Sequence, residues 1–455
     1  MEDVKKTKLF EKMPIPKAVM KLAVPTIIGC LVTMLYNLAD TYFVGMLNDP
    51  VQNAAVTLSA PVLLAFNAVN NLFGVGSSSM LSRALGVKDY ETARKSSAFG
   101  IYCSVLSGIL FSLLCTVFKS PLLSLLGTAQ DNLSATNDYM FWTVTCGAVP
   151  AILNVVMGYL VRAEGSALHA SIGTMSGCVL NIILDPIFIL PNCLNMGAAG
   201  AGCATFISNC VACIYFFILL FIKRKQTYVC IKPRYFTFEK RIFTGVCSVG
   251  IPAAIQNLLN VTGMTILNNF TAEFSSDAVA AMGISQKISM IPMYIAMGLS
   301  QGVMPLISYN FSAKNYTRMK KTITFSGYIS IIFMVITSVL FVTLSGQLTS
   351  AFIENAEVVE YGKQFLRGFS IAAPFLATDF LAVGVFQACG MGTKSFVFAV
   401  MRKIILGIPA LFILNHFFPL YGLAYAQFTA EFILAIAAVV SLAAMFRKFN
   451  NEKKS

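Results

Sequence analysis

The chain has 455 residues, 57% of them hydrophobic and only 12% charged, with a formal net charge of +13 and a mean hydropathy of +0.74. A soluble protein of this length carries about twice that share of charge, so the composition excludes a soluble globular fold and predicts a polytopic membrane protein. Its twelve cysteines, Cys30, Cys115, Cys178 and Cys210 among them, fall mostly in apolar runs. They read as small hydrophobes, not as a disulfide framework or a metal site.

The start, MEDVKKTKLFEKMPIPK, is basic, and the apolar stretch after it is too long for a signal peptide and lacks a small-residue cleavage pattern. It reads as a cytoplasmic leader followed by a retained first helix. Apolar runs bounded by polar residues, Gly or Pro then predict twelve spans, at 18–44, 54–82, 95–118, 136–161, 168–190, 198–222, 243–270, 278–308, 322–345, 360–389, 396–416 and 421–446. With the N-terminus placed inside, 27 of the 33 lysines and arginines fall in cytoplasmic segments. The predicted outer loops NDPVQN, SPLLSLLGTAQDN, PNCLNM, AEFSSD, SGQLTSAFIENAE and HFFPLY hold none. This asymmetry predicts cytoplasmic N- and C-termini and accounts for most of the net charge without a nucleic-acid partner.

An internal repeat appears at an offset of 226. GVGSSSMLSRALGVKDYETARK lies over SQGVMPLISYNFSAKNYTRMKK, matching Gly76 to Gly302, Ser82 to Ser308, Lys88 to Lys314, Tyr90 to Tyr316 and Lys95 to Lys321. Six helices per half give both halves the same orientation, hence a parallel repeat about an axis along the membrane normal. The expected organisation is all-α, with an N-terminal lobe at 1–222, a basic linker at 223–241, and a C-terminal lobe with a basic tail at 242–455.

The first span, LAVPTIIGCLVTMLYNLADTYFVG, carries Asp40 near its outer end. A carboxylate there costs on the order of 3 kcal/mol on insertion scales. Tyr36 precedes it by four residues and shares its face. Counting 1.5 Å per residue from the outer loops places Asp40, Asp185 and Thr205 roughly 8–12 Å below the outer surface, with Asn181 on the face of Asp185. Two acids, an amide and a hydroxyl on one level suit a shared proton or a hard monovalent cation such as Na⁺. Pro25 and Pro186 permit bends near this level. Lysine and arginine are absent from this depth of the first half, which weakens the alternative that the acids form structural ion pairs.

Asn67, Asn70 and Asn71 line a cavity or bond between helices, and Asn154 joins them as a cavity candidate. At the repeat offset Asp40 falls on Ile266 and Asp185 on Leu411, so the acids belong to the first half alone. The second half instead carries Asp379, Glu431 and Lys287 near mid-membrane, as an ion pair involving Lys287 or as a substrate site. His169 and His416 lie near opposite faces, and Trp142 reads as an aromatic-belt anchor. The 21 methionines and 37 phenylalanines are chiefly lipid-facing and core filler, and also suit adaptable binding of flat apolar cations.

Over nearly the whole chain, LAVPTIIGCLVTMLYNLADTYFVG, GVGSSSMLSRALG, RAEGSALHASIGTMSGCVLNIILDPIFI and GAAGAGCATFIS together resemble the multidrug and toxic-compound extrusion (MATE) transporters, in particular their bacterial MepA-like branch. The resemblance implies two six-helix lobes forming a V, alternating access, and export of amphipathic, often cationic compounds driven by Na⁺ or H⁺. It implies that Asp40, Asn181, Asp185 and Thr205 form the N-lobe cation site, with Tyr36 beside it and Pro25 at a bend of helix 1. Some members use a C-lobe site with a glutamate in helix 7 and an aspartate in helix 10; here Gln256 stands near the first place and Asp379 answers the second. The expectation is therefore a secondary antiporter, not an enzyme, without a cofactor, acting as a monomer on small molecules in the bacterial cell (inner) membrane among its lipids. The rivals are a lipid-linked oligosaccharide flippase of the same superfamily, which should favour basic residues in its cavity, and a membrane enzyme on lipid substrates, which should show clustered metal ligands.

Overall fold

The computed structural model describes residues 8–128 and 130–452. Lys5, Lys6, Lys453 and Lys454, counted above in the leader and the tail, lie outside the described residues. The regular structure of the described residues is helical throughout. The spanning elements are α1 (Ile15–Gly45), α2 (Pro50–Gly86), α3 (Tyr90–Val117), α4 (Leu133–Cys146 with Ala148–Ala163), α5 (Ala167–Ile189), α6 (Gly197–Ile222), α7 (Lys240–Ala272), α8 (Ser276–Ser312), α9 (Tyr316–Thr343), α10 (Ala356–Ala388), α11 (Gly392–Phe417) and α12 (Tyr421–Glu452). Among the described residues, eleven helices are individually long and apolar enough to cross a bilayer, and the two parts of α4 make a twelfth span, bent by 49°. The bend has a local cause. Phe141–Cys146 is π-helical, and a Cβ on Gly147 would stand only 2.5 Å from the Thr143 carbonyl and 2.7 Å from that of Trp142, so only glycine closes the turn.

The repeat is also one of conformation. Lys88 (φ 61°) and Lys314 (φ 55°) both take the left-handed conformation. Asp89 and Asn315 then cap α3 and α9 by accepting from the backbone N–H of Thr92 and Arg318. The Ser82 hydroxyl donates to the Ala163 carbonyl, and that of Ser308 to Ala388. In the first turn, the Thr92 bonds and Arg241 hold the Asp89 carboxyl below the usual carboxylate range.

The chain divides into two compact units, one of residues 1–9 and 28–254, the other of residues 10–27 and 255–455. These units do not follow the repeat halves, because the first stretch of α1 belongs to the second unit and the first stretch of α7 to the first. In the second unit, Ala23 and Ile27 of α1 lie against Gly302 and Gly298 of α8, where an added Cβ would come within 2.7 Å of their Cα atoms. Glycines four apart open the groove that lets the two backbones approach, as lipid-embedded packing requires. The α10 helix is the core of that unit, with Phe365 and Phe386 fully buried and Phe365 packed among residues of α8, α11 and α12.

In the first unit the segment between α6 and α7 is tied down closely. The buried Glu164 carboxylate accepts from Thr227 Oγ1 and from the Tyr228 N–H. Ser97 Oγ accepts from the Cys230 N–H, and the Tyr102 hydroxyl donates to the Ile231 carbonyl at 2.6 Å.

Candidate functional site

Three helices of the first unit bring the predicted polar residues together. Asp185 is fully buried and Asn181 nearly so. The Asn181 amide, oriented to satisfy both its ends, donates to Asp185 Oδ2 at 2.8 Å and accepts from the Thr205 N–H at 3.1 Å and its hydroxyl at 3.3 Å. Asp40 interacts electrostatically with Asp185, and its Oδ1 is buried without a hydrogen-bond partner. Tyr36 faces both acids and lies beside Thr205. Neither acid is paired with a lysine or arginine among the described residues.

An apolar cluster explains the common level. Val44, Ile189 and Ala201 are buried together with Ala55, Tyr139 and Ala198. Val44, Ile189 and Ala201 each lie one helical turn from Asp40, Asp185 and Thr205, so packing on that layer sets the polar groups side by side. Tyr139, which the sequence reading did not select, is buried at 4% exposure and faces Tyr36 and both acids. A two-acid site with amide and hydroxyl oxygens can hold one monovalent cation or one shared proton. A divalent-metal cluster is not formed, since no group of three or more His, Cys, Asp or Glu suited to a metal occurs among the described residues.

The remaining candidates are placed elsewhere. Asn67 is exposed, and Asn71 donates back to the Asn67 carbonyl at 2.8 Å. The buried amide of that group is Asn70, whose Oδ1 has no partner. Asn154 donates to Asn209 Oδ1 at 2.7 Å, joining α4 to α6. His169 bonds Tyr215 and Lys223, while His416 is exposed. Pro25 sits inside a continuous α1, two residues before the boundary between the compact units at 27/28; Pro252 holds the same place before the boundary at 254/255 in α7.

In the second unit the ion-pair expectation for Lys287 is corrected. Lys287 is exposed, and the partner of Glu431 is Arg402, whose Nε and Nη2 both reach Oε1 at 2.7 Å. Asp379 stands beside Glu431, with both carboxylate oxygens buried. Arg402 and Lys403 sit in a π-helical stretch, Met401–Gly407. Two adjacent cations inside the apolar 396–416 run are the sequence signal for this pair. Gln256 accepts from Gln387 at 3.3 Å, linking α7 to α10.

A polytopic helical protein that brings two acids together inside its helices, without a basic partner among the described residues, belongs to the class of multi-pass membrane transporters. The MatE family model matches residues 25–187 and again 252–413, two windows spaced like the sequence repeat. The chain belongs to this family, that of the MATE transporters, and is a transporter, not an enzyme. Multidrug export protein MepA of Staphylococcus aureus is 34% identical over 435 residues, covering 95% of this chain and 94% of that one. An outward-facing multidrug-resistance MATE family transporter of the MOP superfamily has the same fold, with TM-score 0.92 at 24% identity over 98% of this chain and 99% of its own. The bent form of the Vibrio cholerae MATE transporter VcmN matches with TM-score 0.87 at 21% identity, over 98% and 99%.

Proposed function

We propose that this protein is an ion-coupled antiporter of the bacterial cell membrane that exports amphipathic, often cationic compounds by alternating access. The observation that carries the reading is the pair of unpaired acids: Asp40 with a buried, unbonded oxygen, and Asp185 held by Asn181. A buried carboxylate without a basic partner is costly to keep charged. Binding H⁺ or Na⁺ from outside relieves that cost, and the relief differs between two conformations wherever the acids' surroundings differ. Only such a difference in affinity can bias a transport cycle. Asn181 and Thr205 orient Asp185, Tyr36 and Tyr139 close the level with hydroxyls, and Pro25 supplies a weak point in α1 at the boundary between compact units. The asymmetric distribution of lysine and arginine favours cytoplasmic termini. The similarity to MepA supports a multidrug cargo.

The test is efflux of a fluorescent amphipathic cation from cells expressing wild type, Asp40→Asn or Asp185→Asn at matched membrane levels. Both variants are expected to lose export. Wild-type efflux from both would sink the assignment.

A further inference from the structure

In the second unit a crevice of about 440 Å³ opens between α9 and the end of α12, lined by Thr317, Lys320, Lys321, Phe325, Tyr328 and Phe446, among others. It runs from the first turn of α9 to Tyr328, twelve residues or about 18 Å along the helix. One end therefore offers two ammonium groups, hydroxyls and a helix N-terminus, while the other is aromatic and lies within the apolar span. The repeat shows what such a groove holds. At the offset of 226, Tyr90, Arg94, Lys95, Phe99 and Tyr102 of α3 correspond to Tyr316, Lys320, Lys321, Phe325 and Tyr328 of α9.

In the first unit every one of those residues is occupied by the segment between α6 and α7. Tyr90 stacks on Tyr228, Arg94 donates to the Tyr235 hydroxyl, and Lys95 pairs with Glu239 at 2.7 Å. Phe99 packs on Phe236 and Phe238, and Tyr102 bonds Ile231. Lys95 has a second acid in Glu91, one turn before it. The second unit replaces Glu91 by Thr317. Lys320 lies over the Phe446 ring there, at 5.8 Å, and neither Lys320 nor Lys321 has a carboxylate partner among the described residues. Tyr316 stacks on Phe449 of α12, which closes one wall.

We propose that this crevice binds one anionic glycerophospholipid, its headgroup phosphate against Lys320 and Lys321 and an acyl chain along Phe325, Tyr328 and Phe446. The occupant must bring what the linker brings in the first unit, negative charge at one end and apolar surface at the other. A cationic amphiphile fails the first requirement, since Arg447 and Lys448 at the end of α12 add to the same positive field. A free phosphate ion fails the second.

The test is native mass spectrometry of the purified full chain in neutral detergent, titrated with phosphatidylglycerol or with phosphatidylcholine of the same acyl chains, and with inorganic phosphate as competitor. Wild type is expected to retain one phosphatidylglycerol selectively and to keep it in millimolar phosphate. Lys320→Gln/Lys321→Gln should weaken it roughly thirtyfold, from about 1 kcal/mol for each lysine near an anionic headgroup. Thr317→Glu restores the acid that the first unit already tolerates, so it is expected to fold and to weaken the same lipid by occupying Lys321. Equal retention of the two lipids, unchanged binding in both variants, or displacement by inorganic phosphate overturns the proposal.

Discussion

Arg402→Met removes the only ion-pair partner of Glu431 among the described residues and leaves a carboxylate of 2% exposure next to Asp379. Breaking a buried pair from one side costs about 3–5 kcal/mol. Replacing both partners, in Arg402→Met/Glu431→Leu, removes the orphaned charge and should return the protein to within about 1 kcal/mol of wild type. Unfolding free energies in mixed micelles measure both quantities. A single variant as stable as wild type, or a double variant no better than the single, would refute the reasoning.

Asp89→Ala removes the cap of α3 and should cost about 1 kcal/mol at neutral pH. Because folding holds that carboxyl below its ordinary value, its stabilisation is present above the unfolded value and is lost as pH falls through the folded one. Thermal unfolding of wild type and variant should therefore converge in acid, whereas Asn315→Ala in the repeat should show a deficit independent of pH. Gly302→Leu forces a side chain into the Ala23 backbone and should cost about 1–3 kcal/mol, read as a lowered unfolding midpoint, with Gly302→Ala intermediate. Asn181→Leu deletes the amide that bridges Asp185 and Thr205; export is expected to fall at least tenfold with unchanged membrane level, and an active variant would remove the bridge from the account.

The grouping of Asp40, Asp185 and Thr205 is legible in the sequence because two independent rulers meet. Positive charges give the spans an expected orientation, and a fixed rise per residue converts position into an expected depth, so the three residues can be aligned across three helices. What escapes is whatever breaks the ruler. Tyr139 precedes the π-helical stretch and bend of α4, where a straight-helix count fails. Arg402 sits in another such stretch, and that Glu431 pairs with it, not with Lys287, depends on how α11 and α12 face each other. Helices apolar on most faces also carry little periodic signal. For that reason Asn70 could not be told from Asn67 and Asn71, and the assignment of the first stretch of α1 to the second compact unit was invisible, although the Gly298/Gly302 spacing was its trace.

The most direct measurement of the central claim is transport in proteoliposomes with a pH gradient and a Na⁺ gradient imposed separately, comparing wild type with Asp40→Asn and Asp185→Asn. The account predicts that at least one gradient drives uptake or release of an amphipathic cation by wild type, and that both variants abolish the driven component. Driven transport at the wild-type rate by either variant, or wild-type transport indifferent to both gradients, would contradict it.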